Sequence, residues 1–369
     1  MHKAIHHAGG WVAFVSLALV LLAGCSNTPE EPDTRTELIL GTTVTIRIYE
    51  GATEAAFERA FDRVQEIEER MSTNTTDYST TELIEVNRAA GERPVAVSED
   101  TFYVVRRALE YSRMTDGAFD VSIEPLVDLW GIGTEYAAVP SEEEIAERTA
   151  KVDYRNVRLD ADEQTIYLPE EGMGLDVGGI AKGFAAEEVA RILREEGIEH
   201  ALLDFGGNII TIGTKPDGSR WRIGIQNPLE QRGEFLGIVE DGAMTVVTAG
   251  DYERYFEEDG VRYHHIIDSR TGYPARSGLS SVTIVAEDST EADTLATAVY
   301  VMGVERGAEL IESLDDTEAA FVTKEHSVYM TSGMPDRFDV TNEAFEIVDL
   351  DAARQDAEAA AQGTGRPSS

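Results

Sequence analysis

The sequence predicts an α+β protein: a single two-lobed domain with a mixed or antiparallel sheet core and flanking helices. Three observations predict it. Apolar residues alternate with period two in short runs, as at Val44, Ile46 and Ile48, which marks half-buried strands. Elsewhere they recur at intervals of three and four, as at Phe57, Phe61, Val64, Ile67 and Met71, which marks amphipathic helices. The two kinds of run do not follow the regular strand–helix–strand order of a parallel sheet, and no internal repeat or second linker divides the chain.

The N-terminus reads as a targeting segment. Lys3, with His2, His6 and His7, gives a weakly basic start, and an apolar run over 11–23 closes on Leu22-Ala23-Gly24-Cys25. That run is shorter than the roughly 20 apolar residues of a spanning helix and ends in small residues, as a cleaved signal does. Residues 1–24 are therefore expected to be a lipoprotein signal peptide. Cys25 then carries the lipid, which anchors the protein on the extracytoplasmic (periplasmic) face of a bacterial membrane. Cys25 is the only cysteine, so no internal disulfide forms. Residues 25–36 are polar with two prolines and read as a flexible tether, 37–350 as the folded domain, and 351–369 as a disordered tail.

Within the domain, 42–49 is the first strand and 57–71 the first helix. Ser98 can cap a helix running to about Met114, stopped near Asp116-Gly117. Ser141 with Glu144 fits a capping box. Residues 176–183 form a glycine-rich turn, and the helix that follows runs to Glu196 and stops at Gly197. Strand-like runs occupy 201–205, 209–212, 221–225, 234–247 and 279–285. Ser289 or Thr290 can cap a helix through Met302, ended by Gly303. The last strands lie near 320–323 and 328–331.

The charge is extreme: 70 acidic against 31 basic residues, net −39. A field of that sign argues against nucleic acid and anionic lipid surfaces as partners. The acid is spread along the chain, as on a solvated surface whose self-repulsion is relieved by salt.

Five segments hold more glycine and polar residues than their place in the fold needs. Asp176-Val177-Gly178-Gly179-Ile180-Ala181-Lys182-Gly183 enters a helix; its glycines allow close backbone approach, and the helix start with Lys182 favours phosphate. The same pattern also suits a plain turn. Asp293 and Thr297 lie four apart on a predicted helix, so their oxygens share a face; hard oxygens in small number suit Mg²⁺, though a dipole-favoured Asp and a surface Thr fit equally. His264-His265-Ile266-Ile267-Asp268 runs into a Thr271-Gly272 turn and offers a general base, or a packed histidine. Residues 116–126 with Trp130-Gly131-Ile132-Gly133 can wall a flat ring, or be core. Gly206-Gly207-Asn208 and Gly250-Asp251-Tyr252 are strand-end turns. No zinc spacing, Walker loop or Gly-x-Ser-x-Gly elbow occurs.

In their order and spacing these pieces resemble the ApbE-type FAD:protein FMN transferases, from about Leu40 to about Thr331. The resemblance rests on Leu40-Gly41-Thr42, Met71-Ser72-Thr73, Asp116-Gly117-Ala118-Phe119-Asp120, the 126–133 stretch, the 176–183 turn, the two glycine turns, the run from His265 to Pro274, and the run from Glu291 to Thr297. It implies an α+β fold related to the tunnelling folds. It also implies transfer of FMN from FAD to a threonine hydroxyl of a target flavoprotein, typically a subunit of a membrane redox pump, with release of AMP.

By the same resemblance FAD is contacted at Leu40, Asn74, Ala118, Phe119, Asp120, Asp176, Lys182, Asp251 and the Ile267 backbone. Mg²⁺ is held by Gly179, through its carbonyl, with Asp293 and Thr297. Lys182 neutralises a phosphate oxygen, and His265 is the candidate base, with Asp268 or Asp251 behind it. Two departures stand out: Leu40 where the family often has Met, and Asn74 where many members carry a Tyr that can stack on a ring. The second opens an alternative, an Mg²⁺-dependent FAD pyrophosphatase giving FMN and AMP. A flavin-binding lipoprotein without chemistry is the third reading.

Overall fold

The computed structural model describes residues 31–74 and 78–350. Nine strands form one sheet whose spatial order is the chain order: Asp33–Ile39, Thr42–Ile48, Ala201–Phe205, Asn208–Ile212, Thr245–Gly250, Leu279–Ala286, Glu318–Thr323, Ser327–Met330 and Glu346–Val348. Neighbours pair antiparallel except the last pair, which is parallel, so the sheet is mixed. Helices α1 (Glu54–Met71), α2 (Glu82–Arg88), α3 (Glu99–Met114), α4 (Glu124–Trp130) and α5 (Glu142–Thr149) lie between the second and third strands. Helix α6 (Ala181–Glu195) leads into the third strand, and α7 (Ser289–Glu312) joins the sixth to the seventh.

Side-chain alternation on the strands explains the layers. Val44, Ile46 and Ile48 pack with Val64 and Ile67 of α1 and Val189 and Leu193 of α6. Val247, Val282, Ile284 and Phe321 face α7. Their neighbours Val246, Val285, Ala320 and Val322 point the other way, onto a three-stranded sheet of Phe338–Val340, Phe235–Asp241 and Trp221–Gln226. Residues of the central strands thus find a core on one side or the other, as period-two geometry allows. One sheet with a core on each face accounts for what reads in sequence as two lobes.

The caps are local and follow from sequence. Ser98 accepts the Thr101 N–H at the start of α3, and Ser141 and Glu144 form a full capping box on α5. Three expectations are corrected. The run 234–247 is two strands in different sheets, Phe235–Asp241 and Thr245–Gly250, separated at Gly242; apolar periodicity does not register a change of sheet. The cap of α7 is Asp288, whose side chain accepts the Glu291 N–H; at Gly303 (φ 79°, ψ 179°) the helix breaks and then resumes, because Ala308 and Ile311 still have a sheet to bury against. The first strand begins at Asp33, inside the expected tether, since backbone pairing with Thr42–Ile48 recruits polar residues that side-chain pattern alone leaves out. The expected signal peptide, Cys25 and the tail over 351–369 lie outside the described residues.

Candidate active site

The site is built where α6 and α7 cross above the 176–183 turn. Val121 O accepts the Asp176 N–H at 2.9 Å, fixing the turn to the Ala118-Phe119-Asp120 segment. Within the turn Asp176 Oδ1 accepts the Gly178 N–H at 2.8 Å, and Thr73 Oγ donates to Oδ2 at 3.3 Å. Burial pushes the Asp176 carboxyl up, and these hydrogen bonds with the charges of Arg254 and Lys182 oppose the rise. At Gly183 the helices approach so closely that a Cβ would collide with the Ser289 carbonyl and crowd the Asp293 side chain. At Gly179 a Cβ would lie 3.1 Å from the Phe119 ring and 3.3 Å from Thr297 Oγ. Two glycines therefore bring the turn onto α7 and onto the Phe119 ring.

That approach joins the residues that sequence separates by more than a hundred positions. Lys182 Nζ donates to both carboxylate oxygens of Asp293, at 2.9 and 3.2 Å, and to Gly178 O at 3.3 Å. The Gly183 N–H donates to Asp293 Oδ2 at 3.0 Å. Asp293 is almost fully buried, so an ionised carboxylate there requires such partners. Thr297, one turn on, stands beside Gly179. Among the described residues no group of three or more His, Cys, Asp and Glu is poised for a metal. The set here is different: one carboxylate, one hydroxyl and the backbone of Gly179. All are hard oxygen donors, and so few of them suit Mg²⁺, which keeps its waters and leans on substrate phosphate.

The 265–274 segment closes another side. Ser269 Oγ donates to Gly117 O at 2.8 Å and Trp130 Nε1 to Gly272 O at 2.8 Å, tying it to the 116–131 stretch. The backbone N–H of His265 donates to Arg254 O at 3.1 Å, and its Nδ1 lies 3.3 Å from the same carbonyl. His265 is exposed by surface area. Desolvation by the nearby protein first, then the charges of Arg254, His264 and Lys182, push the imidazole down to about 3. It is a neutral ring at neutral pH. His264, by contrast, is packed: buried, with Nε2 against Ala275 O at 2.9 Å.

Several expected roles change. Neither Asp268 nor Asp251 stands behind His265. Asp268 is held by the Arg270 guanidinium at 2.9 and 3.0 Å, and Asp251 is buried, paired with Lys324 at 3.1 Å, in a separate cavity of about 570 Å³ that Arg262 also lines. The reason is charge: Asp268 takes the cation two positions on in its own turn, and Asp251 takes one that the fold brings to it, rather than a neutral ring. Asp120 is turned into its own loop, accepting from Ser122 N–H and Oγ and from the Tyr154 N–H. Ala118 and Phe119 are buried beside it, and Ile267 is nearly so. Leu40 sits at the left-handed turn with Gly41 (φ 55° and 63°), and Asn74 follows Thr73 with its N–H on Ser72 Oγ.

Two groups were not legible. Arg254 enters the site, its Nη2 donating to Gly41 O at 2.9 Å; beside Glu253 in sequence it reads as ordinary surface charge. Glu124, next to Pro125, is pushed up to about 7, by burial first and then by Asp128 and Asp176, with Arg148 opposing.

Comparison with known proteins bears on this geometry. Residues 40–321 match the profile described as the ApbE family. A Klebsiella pneumoniae protein named FAD:protein FMN transferase is 35% identical over 315 residues, covering 85% of this chain and 96% of its own. A Treponema pallidum protein of the same name is 36% identical over 330 residues, covering 85% and 90%. Among solved structures, an ApbE protein from Thermotoga maritima superimposes with a TM-score of 0.76 at 32% identity, over 83% of this chain and 99% of that one. The flavin transferase ApbE from Vibrio cholerae gives 0.75 at 32%, over 84% and 100%.

Proposed function

The chain belongs to the ApbE family, and from that premise we propose that it is an FAD:protein FMN transferase. It moves FMN from FAD to a threonine hydroxyl of an acceptor flavoprotein and releases AMP. The observation that carries the reading is the convergence of Lys182, Asp293, Thr297, Gly179 and Asp176 on one cleft faced by His265. In the transfer a bond forms between the threonine oxygen and the FMN phosphorus. The bond from that phosphorus to the bridging oxygen breaks, and AMP leaves with the oxygen and the electron pair. His265, neutral and oriented by Arg254 O, takes the threonine proton. Lys182 swings from Asp293 to a phosphate oxygen, which balances charge at the pyrophosphate.

Asp293, Thr297 and the Gly179 carbonyl would hold Mg²⁺. The chemistry such an ion supplies is neutralisation of pyrophosphate charge. Asn74 favours a second reading, FAD pyrophosphatase, because an amide cannot stack on a flat ring as the Tyr of many family members can. The acceptor we propose is a subunit of a membrane redox pump. The protein reaches it through a lipid on Cys25, behind a signal peptide over 1–24, from the periplasmic face.

The test is to supply FAD and Mg²⁺ with and without an acceptor domain. An acceptor heavier by one FMN, with AMP released only in its presence, is the expected result. AMP and FMN released without acceptor would replace transfer by hydrolysis. FAD bound but intact would exclude both.

A further inference from the structure

Arg254 has a double attachment that its place in a surface loop does not call for. Its carbonyl accepts the His265 N–H and faces His265 Nδ1, so its backbone sets the imidazole. Its side chain reaches two other loops. Nη2 reaches Gly41 O at 2.9 Å in the turn after Leu40, and a Cβ on Gly133 would stand 3.7 Å from its Cδ. Three loops far apart in sequence therefore meet on this one side chain.

The guanidinium is under-used where it stands. A carbonyl oxygen is its hydrogen-bond partner, and among the described residues no carboxylate forms an ion pair with it, in a chain of net charge −39. Most of its N–H donors are left for a ligand, and a guanidinium presents them in a planar fork that matches phosphate oxygens. Its charge acts on the same two groups as that of Lys182, namely Asp176 and His265. The two cations thus lie within electrostatic reach of the same two groups, which flank the pyrophosphate in the function proposed above. Lys182 is paired with Asp293 at 2.9 Å, whereas among the described residues no carboxylate forms an ion pair with Arg254.

We propose that Arg254 is a catalytic residue of this site, its guanidinium binding pyrophosphate oxygens of FAD and neutralising charge on the FMN phosphoryl group as it passes to the acceptor. The inference rests on the transferase reading. It adds to that reading a second fixed cation, delivered by the same residue whose carbonyl orients the base, so that phosphate and imidazole are held in register by one backbone segment.

The experiment compares the purified full chain with R254A, R254K and R254M, following AMP release from FAD with Mg²⁺ and a flavoprotein acceptor domain that carries the threonine to be modified. FAD binding is read separately by flavin fluorescence. For R254A the expected result is a fall in turnover of roughly 10²–10³-fold, with FAD affinity changed by far less. Added guanidinium ion should restore at least tenfold, and R254K should fall between. R254M keeps the aliphatic stem against Gly133 and carries the same test should R254A not fold. Turnover within threefold of wild type in a folded variant would overturn the proposal. So would a loss that neither guanidinium nor R254K relieves, since that is the behaviour of a loop staple. A wild-type chain that leaves FAD intact overturns the transferase reading, and this inference with it; an active wild type with active variants overturns this inference alone.

Discussion

His265 and Glu124 show how desolvation, joined by like charges, pushes a base and an acid in opposite directions. His265 loses solvation and faces Arg254, His264 and Lys182, so its imidazole stays neutral far below the ordinary histidine range. The acid limb of kcat/KM therefore should not appear between pH 6 and 7 in a profile of the free enzyme. Replacing His265 with Ala should lower AMP release by about 10²–10⁴-fold while FAD still binds. Near-normal turnover in that variant would remove the base assignment. Glu124 is the converse. Its folded value near 7 lies above the ordinary 4.5, so the fold loses stability as pH climbs through that window and loses no more above it. The total is at most about 3–4 kcal/mol. E124Q should melt with wild type at pH 4.5 and above it at pH 8. Thermal scans at the two pH values check this, and an equal difference at both would count against it.

At the scale of elements, the crossing of α6 and α7 decides the site. It is set by the absence of a side chain at Gly183, against the Ser289 carbonyl and Asp293. G183A should force the helices apart and cost about 1–3 kcal/mol. It should also weaken any rise in melting temperature that Mg²⁺ produces in the wild type, because Asp293 and Thr297 move with α7 while Gly179 moves with the turn. Calorimetric melts with and without Mg²⁺ measure both effects, and an unchanged Mg²⁺ response would separate the cation site from the crossing. The same logic explains the break at Gly303. There the helix is interrupted without ending, since burial of Ala308 and Ile311 repays a second start.

At the scale of the whole molecule, charge dominates. Net −39 over the whole chain is self-repulsion that counter-ions relieve. Raising salt from about 0.05 to 0.5 M shortens the screening length severalfold, so the melting temperature should rise by several degrees and then level off. A flat or falling curve would show that ion pairs, such as the partly buried Arg63 pairs with Asp100 and Glu188, outweigh the repulsion. Among the described residues no helix is long and apolar enough to cross a membrane.

The sequence by itself determined whatever depends on neighbours along the chain. Caps at Ser98 and Ser141, the amphipathic stripe of α1, and the strands at Thr42–Ile48, Ala201–Phe205 and Leu279–Ala286 all follow from spacings of two to four residues. The spacing of Asp293 and Thr297 on one helix face was legible for the same reason. Only the tertiary structure decided which groups meet across the fold. It gave Asp251 to Lys324, left His265 to a carbonyl, and brought Arg254 to Gly41 over 213 positions. A carboxylate finds its partner by distance in space, through Coulomb attraction and desolvation. Neither has a period that a linear sequence can display.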